Sequence, residues 1–411
     1  MQKLALSFLL SLCTFVVYGQ GYRVLVDKPG EIPVIDVLRS SENTFDVARF
    51  TDSPLNFSTA VLTEYKPNEI VAAYIKTGTK RAIGITRSLD GGESWQTEPL
   101  NNNWDGQLQR SLSLFNLGQP SLHHSRVKRS NPPNSLILFS GGTPITISSS
   151  YTNGEHWSNF YPANNFGGFR VSGLVRLRDG RHMAFFHDDG RFLYESNDSS
   201  DKLRKSVIYK MISNDGGLTW GQPEIALKHN LHGLYDAVVI YSPDRKDNDL
   251  VLICSDRASR IAYISYSRNH GETWSYPQQL PAFLQGDRFG MAAFRNQLLI
   301  SYRDMRTDLK DGSPNPTYGD LVMWAGDLNE LVRGNRNGIK MRIADNYPGE
   351  EAVDHSDLKF SDCGYPSVLP LGKNKIAVIA YGRWEKEEFP FIWNFILDPV
   401  QVRRFMSEQP K

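Results

Sequence analysis

The chain has 411 residues, 40% of them hydrophobic, which is enough for one large core or two domains. Lys and Arg number 46 against 45 Asp and Glu, a formal net charge of +1, so composition gives no electrostatic reason for a nucleic acid or an anionic membrane as partner. Three cysteines cannot build a disulfide framework or a Cys-rich metal site.

In chain order, Met1-Gln2-Lys3 is a short cationic start, Leu4 through Val17 an apolar run, and Tyr18-Gly19-Gln20 its end. This reads as a Sec-type signal peptide, residues 1–19, with cleavage after Gly19, where Val17 and Gly19 are small. The run is too short to span a bilayer comfortably, and no later one is longer. Leu12 is too large for lipid attachment at Cys13. The expectation is an exported single domain, residues 20–411, in which Cys254 and Cys363 could form one disulfide.

Internal repetition is the strongest signal. Ser88-Leu89-Asp90-Gly91-Gly92-Glu93-Ser94-Trp95 recurs as Ser150 to Trp157, Ser213 to Trp220 and Ser267 to Trp274, about sixty residues apart. Each is an Asp box: Asp or Asn turns the backbone, Gly takes the positive φ of a tight hairpin, and Trp packs between sheets. Between the boxes lie short paired strands broken by turns, such as Gly173 to Leu177 and His182 to Phe186 around Arg178-Asp179-Gly180. Helical periodicity is nearly absent, with Asp327 to Val332 the best candidate. The spacing predicts an all-β, six-bladed β-propeller of four-stranded antiparallel sheets. Its blades run from 55 to 97, 117 to 159, 170 to 223, 234 to 276, 288 to 325 and 362 to 398. Blades five and six lack the box, although Trp324 can keep its packing role. The segment from Tyr22 to Arg49 is expected to close the ring.

In an antiparallel blade the first strand starts, and the second ends, on one rim, whereas the boxes turn at the other. That rule gathers Arg170, His187-Asp188-Asp189-Gly190-Arg191, Tyr235-Asp236, Asp256-Arg257, Asp287-Arg288, Arg303-Asp304, Tyr365 and Tyr381 around one pocket at the mouth of the central channel.

With the boxes, Phe186 to Phe192, Gly286-Asp287-Arg288, Tyr302 to Met305, and Asp362 to Pro366 running to Trp384, the chain resembles the sialidase (neuraminidase) superfamily, in particular its exported bacterial members. The resemblance implies an exo-acting hydrolase that releases a terminal acidic sugar from a glycan with retention, without a cofactor or metal. A neutral Tyr is the nucleophile in such enzymes, because an anionic one would be repelled by the sugar's carboxylate. The resemblance puts Tyr365 in that role, Asp236 as its base and Arg257 as one arginine of the carboxylate clamp, which Arg288 and Arg303 are expected to complete from another blade, with Arg191 or Arg170 as alternatives. Asp188 or Asp189 would be the acid, with His187, Arg191 and Arg170 lining the pocket. The chain also departs from the family. No Arg stands near Asn56 to Ala60 or near Tyr318-Gly319-Asp320, Asp236 replaces a Glu, and Gln119 or Asp105 stands near the usual acid. His123-His124 has no accompanying ligand set. Two other readings stay open: a lyase on uronic acid polymers using His187 or a Tyr as base, and a propeller that binds glycans without turnover.

Overall fold

The computed structural model describes residues 23–37, 45–49, 61–66, 68–76, 82–97, 104, 111–117, 135–193, 205–243, 249–345, 363–371, 375–382 and 391–397. Residues 1–19, Asn56 to Ala60, Asp105, Gln119, His123-His124, Asp362 and Trp384 lie outside them.

The chain folds as an all-β propeller arrangement of small sheets; among the described residues the one α-helix is short, Leu328–Val332, where the sequence suggested it. The first strands of successive sheets are Val61–Lys66, Leu112–Asn116, Val171–Arg176, Tyr235–Tyr241, Gly286–Phe294 and Gly364–Leu371. Each neighbours the next, and the last neighbours the first, so the ring is closed. The apolar clusters lie between sheets: Val251 and Ile253 of one sheet pack with Leu298, Ile300 and Trp324 of the next. Alternation within each strand therefore buries side chains on both faces, which explains the near-continuous apolar runs.

Five sheets have the expected four strands. The sheet expected as blade five is different. It has six strands and is mixed, because Val34–Asp36 pairs in parallel with Ile339–Ala344, and Arg23–Val26 pairs antiparallel with Val34–Asp36. A buried ion pair fixes that addition, the Arg342 guanidinium holding Asp36 at 2.5 Å. Ring closure falls to Phe45–Arg49 alone, which pairs antiparallel with Phe391–Leu397. The stretch expected to close the ring thus splits between two sheets. Other blade boundaries shift as well: Leu112–Asn116, the first strand of the second sheet, precedes the expected start at 117, and outer strands such as Tyr161–Pro162 and Gln278–Gln279 lie beyond the last box residue. Cys254 and Cys363 are both free thiols, each buried in a different apolar cluster.

The four repeated octapeptides form one kind of turn. In each, the opening serine hydroxyl accepts the amide of the glycine four residues on: Gly92, Gly154 and Gly217 at 2.7 to 2.8 Å, and Gly271 at 2.8 Å. The third position then caps the amide before the tryptophan, as Asp215 does for Thr219 at 3.0 Å. Each tryptophan packs between its own sheet and the preceding one, and Trp324, fully buried, does so where the box is lost. Ser213→Ala leaves the buried Gly217 amide without its acceptor and is expected to cost about 1–2 kcal/mol, read as a lower denaturant midpoint.

Neighbouring sheets are also tied by polar contacts. His182 is fully buried, and its Nε2 donates to the Leu117 carbonyl of the preceding sheet at 3.1 Å. Burial pushes this imidazole down to about 4, helped by Arg176 and opposed by the Leu117 hydrogen bond. The folded protein thus keeps His182 neutral where the unfolded chain already binds a proton, so stability falls as pH drops from about 6.5 towards 4. A loss of about 2 kcal/mol across that window is expected. Thermal unfolding against pH should show a flatter decline for His182→Gln.

Candidate active site

The site is made by irregularities in the first strands. Pairing of the first with the second strand slips between Tyr235 and Val238, between Asp287 and Gly290, and between Gly364 and Ser367. These are β-bulges at one rim of three consecutive sheets, and bulges re-aim side chains. At each, a residue with a Cβ takes a left-handed backbone: Asp236 (φ 53), Arg288 (φ 59) and Tyr365 (φ 48). Such conformations cost about 1–3 kcal/mol each and persist where the surroundings enforce them. Gly290 shows how tightly they do: a Cβ there would meet the Pro366 carbonyl of the next sheet at 2.1 Å.

The three left-handed residues converge. The Arg288 guanidinium lies 5.0 Å from the centre of the Tyr365 ring, and the Arg170 guanidinium 4.7 Å from it. Arg288 also donates to the Cys363 carbonyl at 2.8 Å and to the Tyr381 hydroxyl. Tyr381 stacks on Tyr365 with centroids 6.3 Å apart. The charge of Asp236 is the largest influence on the Tyr365 phenol and raises its pKa; burial adds to this, and Arg288 and Arg170 oppose it. Tyr365 is therefore a neutral phenol within the electrostatic reach of the Asp236 carboxylate. Arg170 and Asp236 both line a channel cavity of about 230 Å³, whose walls include Ser113, Phe289 and Pro366.

The remaining expected residues sit nearby in different roles. Arg303 is buried and forked onto Asp287, Nε to Oδ1 at 2.9 Å and Nη2 to Oδ2 at 2.8 Å, and Arg260 binds the same carboxylate. Burial would raise the Asp287 pKa, yet these cations, Arg303 foremost, hold it below the usual value. Arg303 thus serves a structural ion pair rather than an open clamp. Arg257 is exposed on the turn after Leu250–Ser255.

On the neighbouring sheet, the Asp188 carboxylate accepts backbone amides of Gly190 at 2.6 Å and of Phe192 and Leu193 at 3.4 Å, closing the turn. Burial nevertheless raises its pKa, and these bonds oppose that. Asp189 is forked by Arg191, whose side chain is 63% exposed and rests over the Phe169 ring. His187 is buried, stacked on Phe169, with its Nδ1 towards Asp236. The Phe186 to Phe192 stretch is one wall of the site, and its two carboxylates are occupied in holding that wall together. Among the described residues no group of three His, Cys, Asp or Glu side chains is placed to hold a metal ion.

Sequence reading missed Ser113, which accepts from Arg170 Nε at 3.4 Å, together with Phe169 and Arg260. A serine on a strand and a phenylalanine in the bend before one carry no local signal of a site. Arg260 lies on the same turn as Arg257, and the resemblance points to Arg257 instead.

No protein-family model matches the sequence, and no curated protein does. Solved structures do. A protein of unknown function from Dyadobacter fermentans is 14% identical, covering 86% of this chain and 99% of its own, with a TM-score of 0.58. The NanB sialidase of Streptococcus pneumoniae is 12% identical, with 88% and 71% covered and a TM-score of 0.55. The intramolecular trans-sialidase of Ruminococcus gnavus is 12% identical, with 88% and 97% covered and a TM-score of 0.54. At these identities the likeness is one of architecture, and this chain has a sialidase-like propeller fold.

Proposed function

We propose that this chain is an exported, exo-acting glycoside hydrolase that releases a terminal acidic sugar, with Tyr365 as nucleophile. Counting the enlarged sheet as a blade gives the six-bladed ring of such enzymes, and residues 1–19 would direct export before cleavage near Gly19. The observation that carries the reading is the surroundings of Tyr365: a neutral phenol under the influence of the Asp236 charge, with two guanidiniums over its ring.

In the first step Asp236 takes the phenolic proton while the Tyr365 oxygen bonds to the anomeric carbon, the glycosidic C–O bond breaks, and the departing aglycone oxygen takes a proton from solvent water. Water then enters from the face the aglycone left, opposite the tyrosine, and breaks the Tyr365–sugar bond. Asp236 returns its proton to the leaving phenolate, water gives up a proton to solvent, and two inversions leave the configuration retained. Arg170 and Arg288 are the cations disposed to meet the sugar's carboxylate, and charge-assisted hydrogen bonds to it would orient the ring. Arg257, on the exposed turn, would meet the part of the glycan outside the channel.

One observation favours a second reading, a glycan-binding propeller without turnover. Asp188 and Asp189, the expected acids, are both committed to the turn they belong to. The two readings separate by incubating residues 20–411 with a panel of α-linked sialosides and measuring released sugar by mass spectrometry. Release supports the hydrolase. Binding by calorimetry without release supports the second reading and sinks the first.

A further inference from the structure

The Asp236 amide has an unusual need. Pairing of Tyr235–Tyr241 with Leu250–Ser255 holds at Tyr235 and resumes only at Val238, so the bulge takes Asp236 out of the ladder. Its left-handed backbone turns the N–H away from the neighbouring strand, and a half-buried amide needs an acceptor from elsewhere. The acceptor is the imidazole of His187, whose Nδ1 receives the Asp236 N–H at 3.3 Å from the adjacent sheet. The same nitrogen lies 3.9 Å from the Asp236 carboxylate.

The imidazole has little freedom to do otherwise. Phe169 stacks on one side, with centroids 5.0 Å apart and planes 11° apart, and Tyr235 meets it edge-on at 5.0 Å. His187 lies on His182–Asp188, buried along its whole length, so its backbone is as fixed as its ring. An accepting Nδ1 requires the neutral ring with its proton on Nε2, since the imidazolium has no lone pair. The surroundings favour that form: burial lowers the His187 pKa, Arg170 and Arg257 lower it further, and Asp236 and Asp189 oppose them.

We propose that His187 is a positioning residue: its Nδ1 holds the backbone of Asp236 in the left-handed bulge that brings the carboxylate to the Tyr365 side of the channel. His187 thus acts through Asp236 and need not touch substrate. The role of Asp236 as base rests on the hydrolase reading, but the hydrogen bond and the backbone it fixes do not. The choice of residue has a physical logic. A strained backbone needs a rigid acceptor, and a histidine clamped between two rings supplies one without adding a second charge beside the carboxylate.

The test uses residues 20–411 as wild type, His187→Phe and His187→Gln. Phenylalanine keeps the ring stack and removes the acceptor, whereas glutamine restores an acceptor oxygen. In the wild type, nitrogen NMR of the imidazole should show an unprotonated Nδ1 and a protonated Nε2 at neutral pH. Amide hydrogen exchange at Asp236 should be about tenfold faster in His187→Phe and partly recovered in His187→Gln. On any sialoside that the wild type cleaves, kcat should fall about 10- to 100-fold in His187→Phe with KM little changed, and recover partly in His187→Gln. A protonated Nδ1, or equal Asp236 protection in the wild type and His187→Phe, overturns the proposal. So does a His187→Gln protein that behaves like His187→Phe. A wild type that cleaves no sialoside counts against the hydrolase reading, and the exchange measurement still decides the role of His187.

Discussion

Tyr365→Phe is expected to lower kcat on a cleaved sialoside by about a thousandfold or more, with KM changed by less than about threefold. The substitution removes one oxygen and keeps everything around it. The phenyl ring still offers its face to the Arg170 and Arg288 guanidiniums, now 4.7 Å and 5.0 Å from the ring centre, and still stacks on Tyr381. Binding groups and pocket shape therefore survive, and what is lost is the atom that would bond to the sugar. A fall in kcat alone marks a nucleophile. A rise in KM alone would make Tyr365 a wall of the binding site, and a fully active variant would remove it from the mechanism. Asp236→Asn offers a companion measurement. Without that charge the phenolic proton loses its carboxylate acceptor, and kcat should fall while the left-handed backbone, which asparagine tolerates, stays in place.

Lys340→Met should destabilise the fold by about 3–5 kcal/mol. Asp304 is fully buried at the end of Gln297–Asp304, and Lys340, 4% exposed, pairs with it at 2.5 Å. Asn315 and Thr317 also donate to that carboxylate, at 2.9 and 2.7 Å, so its geometry is set by the loop that follows the strand. Methionine fills the volume of the lysine stem but leaves a buried carboxylate without its cation. Combining it with Asp304→Asn removes the stranded charge and should recover part of the loss, so the two effects will not add. Guanidinium unfolding midpoints of the two single variants and the double variant measure this directly. Additive losses would mean that Lys340 stabilises by packing over Tyr302 rather than through the ion pair.

Much of the architecture was legible because its signals are local. The Ser88, Ser150, Ser213 and Ser267 octapeptides read as turns, and each serine does accept its glycine amide four residues on. The alternation of strands and turns placed the starts of the last four first strands to within two residues but missed Leu112–Asn116, which precedes the expected start of the second blade at 117, and the rim rule brought Asp236, Arg288 and Tyr365 to one side of the ring. The rule identifies which residues share a rim and stops there. It treats Arg257, Arg288 and Arg303 as equivalent cations, although one is exposed on a turn, one lies over Tyr365, and one is forked onto Asp287. It likewise reads Asp188 and Asp189 as open carboxylates, although their partners are the amides and guanidinium of the next few residues.

By itself the sequence determined the features set by contacts within one sheet: the turns, the strand alternation, the near-sixty-residue repeat and therefore the propeller. The tertiary structure alone decided which sheet the Arg23–Val26 and Val34–Asp36 strands join, where three bulges force a left-handed backbone, and which charges stay open. The reason is the range of the forces. A turn is set by residues a few positions apart, whereas the partner of Arg170, of His187 or of Asp36 comes from a strand dozens or hundreds of residues away, brought close only when the ring closes.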